Sequence, residues 1–216
     1  MRASARSAAG VSERAARQPV EWGVSTRCRR GETLNGDLAI VKLVSDGALV
    51  AAVDGLGHGS EAARAARAAE RVVLDNYGGD LVPLLKCCHV AMSETRGAAV
   101  SLAFVSAREG RMSWLGVGNV EGRVLSGDPS VRRLKGSLAL LNGVPGHQLP
   151  YMQIATLDLV PGDVLVLATD GIAAGFADSL NAAGSAQAIS DRIMARHGRV
   201  DDDALVVTVR YLGRRP

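Results

Sequence analysis

Asp54-Gly55-Leu56-Gly57-His58-Gly59 and Thr169-Asp170-Gly171 each set an aspartate at the end of an apolar run, Leu49 to Val53 and Val164 to Ala168, and follow it at once with glycine. Asn35-Gly36-Asp37 opens a further apolar run, and Asp201-Asp202-Asp203 precedes another, Ala204 to Val209. Separate stretches of chain can therefore deliver carboxylates to one place. Two carboxylates about 4 Å apart repel by roughly 4 kcal/mol at an effective dielectric of about 20, so such a cluster calls for cations. Oxygen donors without His or Cys suit hard divalent ions, magnesium or manganese, rather than zinc.

Two such ions about 3.5–4 Å apart can share a bridging water, lower its pKa and hold phosphoryl oxygens for in-line attack. The chemistry expected is hydrolysis of phosphate esters. Asp54 is the expected bridging ligand, with the Gly55 carbonyl beside it, and Asp170 is expected to complete one metal with a member of the 201–203 cluster. His58 is a candidate proton donor to the leaving alkoxide; its competing reading is a helix cap or the filling of a polar niche. One Asp-Gly after a strand is usually a turn, and it is the coincidence of all the segments that argues for a site. A dinucleotide fingerprint would need glycine where Ser60 stands, and no P-loop pattern is present. His89, His147 and His197 have no nameable partner.

Strands must carry these residues. Val20 to Arg27, Asp37 to Val44 and Gly47 to Val53 read as a meander ending at Asp54, with Ser45-Asp46-Gly47 as a turn. Ser60 is positioned to cap a helix from Glu61 to about Asn76, whose Ala62, Ala65, Ala66, Ala69, Val72 and Val73 recur at helical spacing, and Gly78-Gly79 to stop it. A second helix is expected over Leu81 to Glu94. Strands follow at Ala98 to Ala107, Arg111 to Val117, Gly122 to Leu125 and Val131 to Leu134, then a loop from Gly136 to Tyr151. Ile154 to Leu159 and Asp163 to Thr169 read as a pair around Val160-Pro161-Gly162, Asp178 to His197 as a third helix and Ala204 to Leu212 as the last strand. Helices grouped between antiparallel runs give an α+β fold with sheet packed on sheet and helices outside.

At 216 residues and 47% hydrophobic content the chain suits one domain, residues 18–212, between a flexible basic tail at 1–17 and a short tail at 213–216. Aromatics at 3% leave few stacking platforms for single-stranded nucleic acid. Much of the +3 charge lies in terminal arginines, so no nucleic-acid partner is expected. Cys28, Cys87 and Cys88 form neither a disulfide framework nor a zinc motif, which points to a reducing cytoplasm. No run reaches the roughly 18 apolar residues of a membrane span.

In this order, Asn35-Gly36-Asp37, Val53-Asp54-Gly55-Leu56-Gly57-His58-Gly59, Leu159-Val160-Pro161-Gly162-Asp163, Ala168-Thr169-Asp170-Gly171-Ile172 and Asp202-Asp203-Ala204 resemble the metal-dependent Ser/Thr protein phosphatases of the PPM, or type 2C, class. Asp-Gly-x-Gly-His-Gly together with Gly116-Val117-Gly118-Asn119 is similar to the bacterial SpoIIE branch, in particular its small stressosome phosphatases. The resemblance implies a PPM-phosphatase-like sandwich of two mainly antiparallel β-sheets flanked by α-helices. It also implies two Mn2+ or Mg2+ ions on Asp37, Asp54, Gly55, Asp170 and Asp202, and phosphorylated STAS-domain stressosome scaffold proteins as substrates of a monomeric enzyme that resets a stress signal. The alternative is an inactive PPM-like module that binds such a partner. Larger members place histidine where Leu56 stands, so their proton donor does not transfer to His58. For their phosphate-holding arginine, Arg27, Arg29 and Arg30 are the candidates. Asp202 fits the last motif best, with Asp201 as the other register.

Overall fold

The computed structural model describes residues 18–45, 47–75, 80–128 and 134–213. The expected tail at 1–17, the Gly78-Gly79 stop and residues 131–133 lie outside that range. Strands β1 (Val20–Arg27), β10 (Ala204–Tyr211), β9 (Val164–Ala168), β6 (Glu121–Leu125) and β7 (Leu134–Ser137) form one sheet in that order. The second sheet is β2 (Asp37–Val44), β3 (Gly47–Gly55), β4 (Ala98–Ser106), β5 (Arg111–Val117) and β8 (Ala155–Asp158). Neighbouring strands are antiparallel throughout. Helices α1 (Gly59–Asp75) and α2 (Leu81–Ala91) cover the outer face of the second sheet, and α3 (Ala186–His197) packs on β1 and β10 of the first.

These four layers explain why the strands read as unbroken apolar runs. On β3, Ala48, Val50 and Ala52 enter the core between the sheets, while Leu49, Ala51 and Val53 enter the core under the helices. On β10, Leu205, Val207 and Val209 face the sandwich and Ala204 and Val206 face α3. Each Leu or Val so buried stabilises the fold by about 1.5–3 kcal/mol before entropy is counted. Helix α1 presents almost nothing but methyl groups, Ala62, Ala65, Ala66 and Ala69, to its sheet. It can therefore approach so closely that a Cβ added to Gly55 would lie 2.2 Å from the Ala62 carbonyl oxygen.

Some expected pairings differ. β1 joins β10 in the first sheet instead of opening a meander with β2. β8 and β9 belong to different sheets, so Val160-Pro161-Gly162 is a crossover and not a hairpin turn. The buried Asp163 holds that crossover by accepting from Val160 N at 2.9 Å and Gly127 N at 2.9 Å. Helix α1 begins at Gly59, which puts Ser60 in its first turn rather than at the cap. The helix expected over Asp178 to His197 is a 3-10 turn, Phe176–Ser179, followed by α3, capped by Ser185 accepting from Ala188 N. Strand β7 runs on to Ser137, into the expected loop.

Candidate metal centre

Asp37 and Asp54 stand opposite each other across the β2–β3 ladder, at the edge of one sheet. Asp170 follows β9 and Asp202 precedes β10, at the facing edge of the other. Two side chains tie the edges together. Thr169 donates its hydroxyl to Asp37 Oδ2 at 2.7 Å and accepts from Leu205 N at 2.9 Å. Asp203 accepts from Arg29 N and from Gly36 N, both at 2.8 Å. The motif glycines here serve close approach. A Cβ on Gly36 would fall 2.6 Å from the Ala62 methyl, and one on Gly171 would fall 1.9 Å from Asp203 O.

Burial and mutual repulsion dominate the electrostatics. Burial first, then the charge of Asp37 and the other aspartates, pushes the Asp54 carboxyl up to about 8. Burial also raises Asp37, to about 7, against the opposing hydrogen bond from Thr169. Asp170 is raised by burial and then by Asp202, and is held back by Arg199 and by a 2.7 Å hydrogen bond from Asn119 Nδ2. Asp54 accepts no hydrogen bond from a described residue. Its neighbours are each partly satisfied, Asp37 by Thr169, Asp170 by Asn119 and Asp202 by Asp203 N at 3.0 Å.

The acidic run resolves into three environments. Asp201 faces outward onto Arg199 at 3.3 Å. Asp203 is buried and spent on backbone N–H groups. Asp202 is the half-buried member, and its charge alone of the three raises Asp170, while it and Asp203 both act on Asp54 and Asp37. His58 is exposed, with Nδ1 2.7 Å from Glu32 Oε1. Arg27 donates to the Gly198 carbonyl at 2.8 Å, whereas Arg29 is tied to Asp203 by its backbone N–H and its charge acts on the outward-facing Asp201. Thr169 and Asn119, which bond Asp37 and Asp170, are residues that residue type alone did not single out; their signal was adjacency to Asp170 and to Gly118 at the end of β5.

No three His, Cys, Asp or Glu side chains among the described residues stand close enough to form a finished metal site. The donor set nevertheless fits a hard divalent cation. Oxygen ligands converge, Asp37 and Asp54 have no cation among the charges that act on them, and positive charge between them would let both ionise.

A family model for stage II sporulation protein E (SpoIIE) matches residues 45–212. The phosphoserine phosphatase RsbX of Bacillus subtilis (strain 168) is 30% identical over 93 residues, 43% of this chain and 46% of that protein, so the chain spans about half the length of the curated relative it matches. A chain from a structure of the bacterial stressosome, a modular system adapted to control secondary messenger signalling, is 33% identical, with 88% of this chain and 99% of that one covered and a TM-score of 0.80. A crystal structure of RsbX in complex with magnesium superposes with a TM-score of 0.79 at 22% identity, over 89% of this chain and 95% of that one. The last likeness is one of fold, and the expected PPM-type sandwich is thereby found.

Proposed function

Because this chain belongs to the SpoIIE family, we propose that it is a metal-dependent phosphoserine/phosphothreonine protein phosphatase acting on phosphorylated STAS-domain stressosome proteins. The observation that carries the reading is the repelling pair of the buried Asp37 and the half-buried Asp54, facing Asp170 and Asp202 across the seam between the sheets. Likeness to a chain from the bacterial stressosome and to a phosphoserine phosphatase supports the choice of substrate.

Asp37, Asp54, Asp170, Asp202 and the Gly55 carbonyl would hold Mn2+ or Mg2+, two ions in the reading from sequence. When bound, the ions neutralise phosphoryl charge and acidify a water. Thr169 fixes the rotamer of Asp37, Asn119 donates to one oxygen of Asp170, and Asp54, which accepts no hydrogen bond from a described residue, would be the ligand shared by the ions. Arg29, pinned by its backbone to Asp203, is the better-placed phosphate ligand of the three candidates. The inactive-module alternative is disfavoured because each carboxylate of the motif set is present in the sequence. His58 has Nδ1 held by Glu32 at the rim, which leaves Nε2 as the nitrogen that would donate a proton.

The test is phosphate release from a phosphorylated STAS-domain scaffold protein with manganese, with magnesium and after chelation, beside the Asp54→Asn variant. Metal-dependent release lost in a folded Asp54→Asn protein is expected. Retained turnover in that variant overturns the bridging role. Binding without release under any metal returns the inactive module.

A further inference from the structure

Arg96 is an exposed guanidinium with no hydrogen-bond or ion-pair partner among the described residues. The backbone that carries it is nevertheless braced. Its Nη1 lies 2.7 Å from where a Cβ on Gly57 would sit, so it rests directly on the backbone of the Asp54–Ser60 loop. On one side of it, Thr95 donates its hydroxyl to Met92 O at 2.7 Å and accepts from Gly97 N at 3.0 Å. On the other, Gly97 O accepts from Leu56 N at 3.0 Å, which joins the two loops. Arg64 braces the same turn by donating to Glu94 O at 3.0 Å while paired with Glu61. Pro145 of the 136–151 segment borders it, its carbonyl accepting from Ala98 N at 3.0 Å.

An unneutralised guanidinium on a braced turn beside the ligand loop loses little entropy on meeting an anion, and its planar fork suits a carboxylate. Arg199 acts on Asp170, but Arg96 is not among the charges that act on Asp37, Asp54 or Asp170. Its place is the rim and not the reacting centre. We propose that Arg96 is a specificity residue that pairs with an acidic side chain flanking the phosphorylated serine or threonine of a protein substrate. The identity of the substrate class rests on the phosphatase reading above; the preference for acidic sequence rests on Arg96 alone.

The experiment compares two synthetic phosphoserine peptides, one with Asp and Glu around the phosphoserine and one with Asn and Gln in their places. Turnover and, separately, binding by fluorescence anisotropy in magnesium are measured for the full chain and for Arg96→Ala, Arg96→Lys and Arg96→Glu. Wild type is expected to favour the acidic peptide in kcat/KM by about fivefold, mainly through KM, and to lose that preference as salt rises. Arg96→Ala brings the ratio to about one, Arg96→Lys keeps part of it and Arg96→Glu inverts it. Equal losses on both peptides, or a ratio unchanged in Arg96→Glu, overturn the proposal. If wild type turns over neither peptide, the phosphatase reading fails, while an Arg96-dependent binding preference still upholds this one and its absence overturns it.

Discussion

Asp202 and Asp203 are adjacent carboxylates with opposite roles, and a crossed pair of substitutions separates them. Asp203→Ala strands the N–H groups of Arg29 and Gly36, which it now satisfies at 2.8 Å each. At about 1–3 kcal/mol for each orphaned donor, the loss is about 4 kcal/mol. For a domain of this size that lowers Tm by about 8–16 °C. Asp203→Asn keeps one acceptor and turns an NH2 toward the other donor, so about half the loss is expected. Asp202→Asn retains an oxygen for the bond it accepts from Asp203 N and removes a repelling charge. In chelator its stability should stay within about 0.5 kcal/mol of wild type. Magnesium then reverses the order of interest: wild type and Asp203→Asn gain stability with added ion, by about 2.7 kcal/mol at a hundred times Kd, and Asp202→Asn does not. Thermal melts followed by circular dichroism, with chelator and across a magnesium series, read both effects. If Asp202→Asn melts as low as Asp203→Ala in chelator, or if Asp203→Ala keeps the wild-type Tm, the division between ligand and clamp is wrong.

The chelated protein should lose stability as pH rises. Asp37 and Asp54 sit near 7 and 8 when folded, above the usual carboxylate value of about 3.9, so the folded state binds more protons through that window and unfolding becomes easier from pH 5 to pH 8.5. Urea melts in chelator check this, and Asp54→Asn should exceed wild type at pH 8.5 by more than at pH 5; a flat or rising wild-type profile contradicts it. Thr169→Val leaves an oxygen of Asp37 and the Leu205 N–H without their partner and should cost about 2–4 kcal/mol in the same assay, whereas Thr169→Ser retains the hydroxyl. Gly171→Ala drives a methyl to within 1.9 Å of Asp203 O, so the loops that follow β9 and precede β10 must part; a loss of about 1–3 kcal/mol by urea melt and a sharp fall in phosphate release are expected.

Strands β3, β9 and β10 were legible because burial on both faces leaves continuous apolar runs, and β1, β2 and β5, less fully buried, still begin and end where the sequence places them. Partner choice was not. Val160-Pro161-Gly162 has the residues of a tight turn, yet Asp163 turns the chain into the opposite sheet through bonds to Val160 and to the distant Gly127. The same limit hid the division of labour between Asp202 and Asp203, since the Arg29 and Gly36 N–H groups that Asp203 accepts from lie far off in sequence; Arg199, two residues from Asp201, was the one local sign. Asn181, Gly184 and Ser185 carried the signal that splits the third helix, a left-handed glycine at φ 92° followed by a capping serine. That signal is local, and the helical spacing around it masked it. The convergence of Asp37, Asp54 and Asp170 was readable because glycine beside each of them marks a point where backbones nearly touch.

The alanine face of α1 acts as a spacer gauge for the chemistry. Seventeen residues give the helix a length of about 25 Å, and its first turns are jammed against Gly55, where there is no slack. Any enlargement farther along, at Ala66 or Ala69, must tilt the rod about that jammed end and pry at the loop carrying Asp54. Residues remote from the carboxylates thereby hold mechanical leverage over them, and drift in side-chain size along this helix would be screened by catalysis before it was screened by folding.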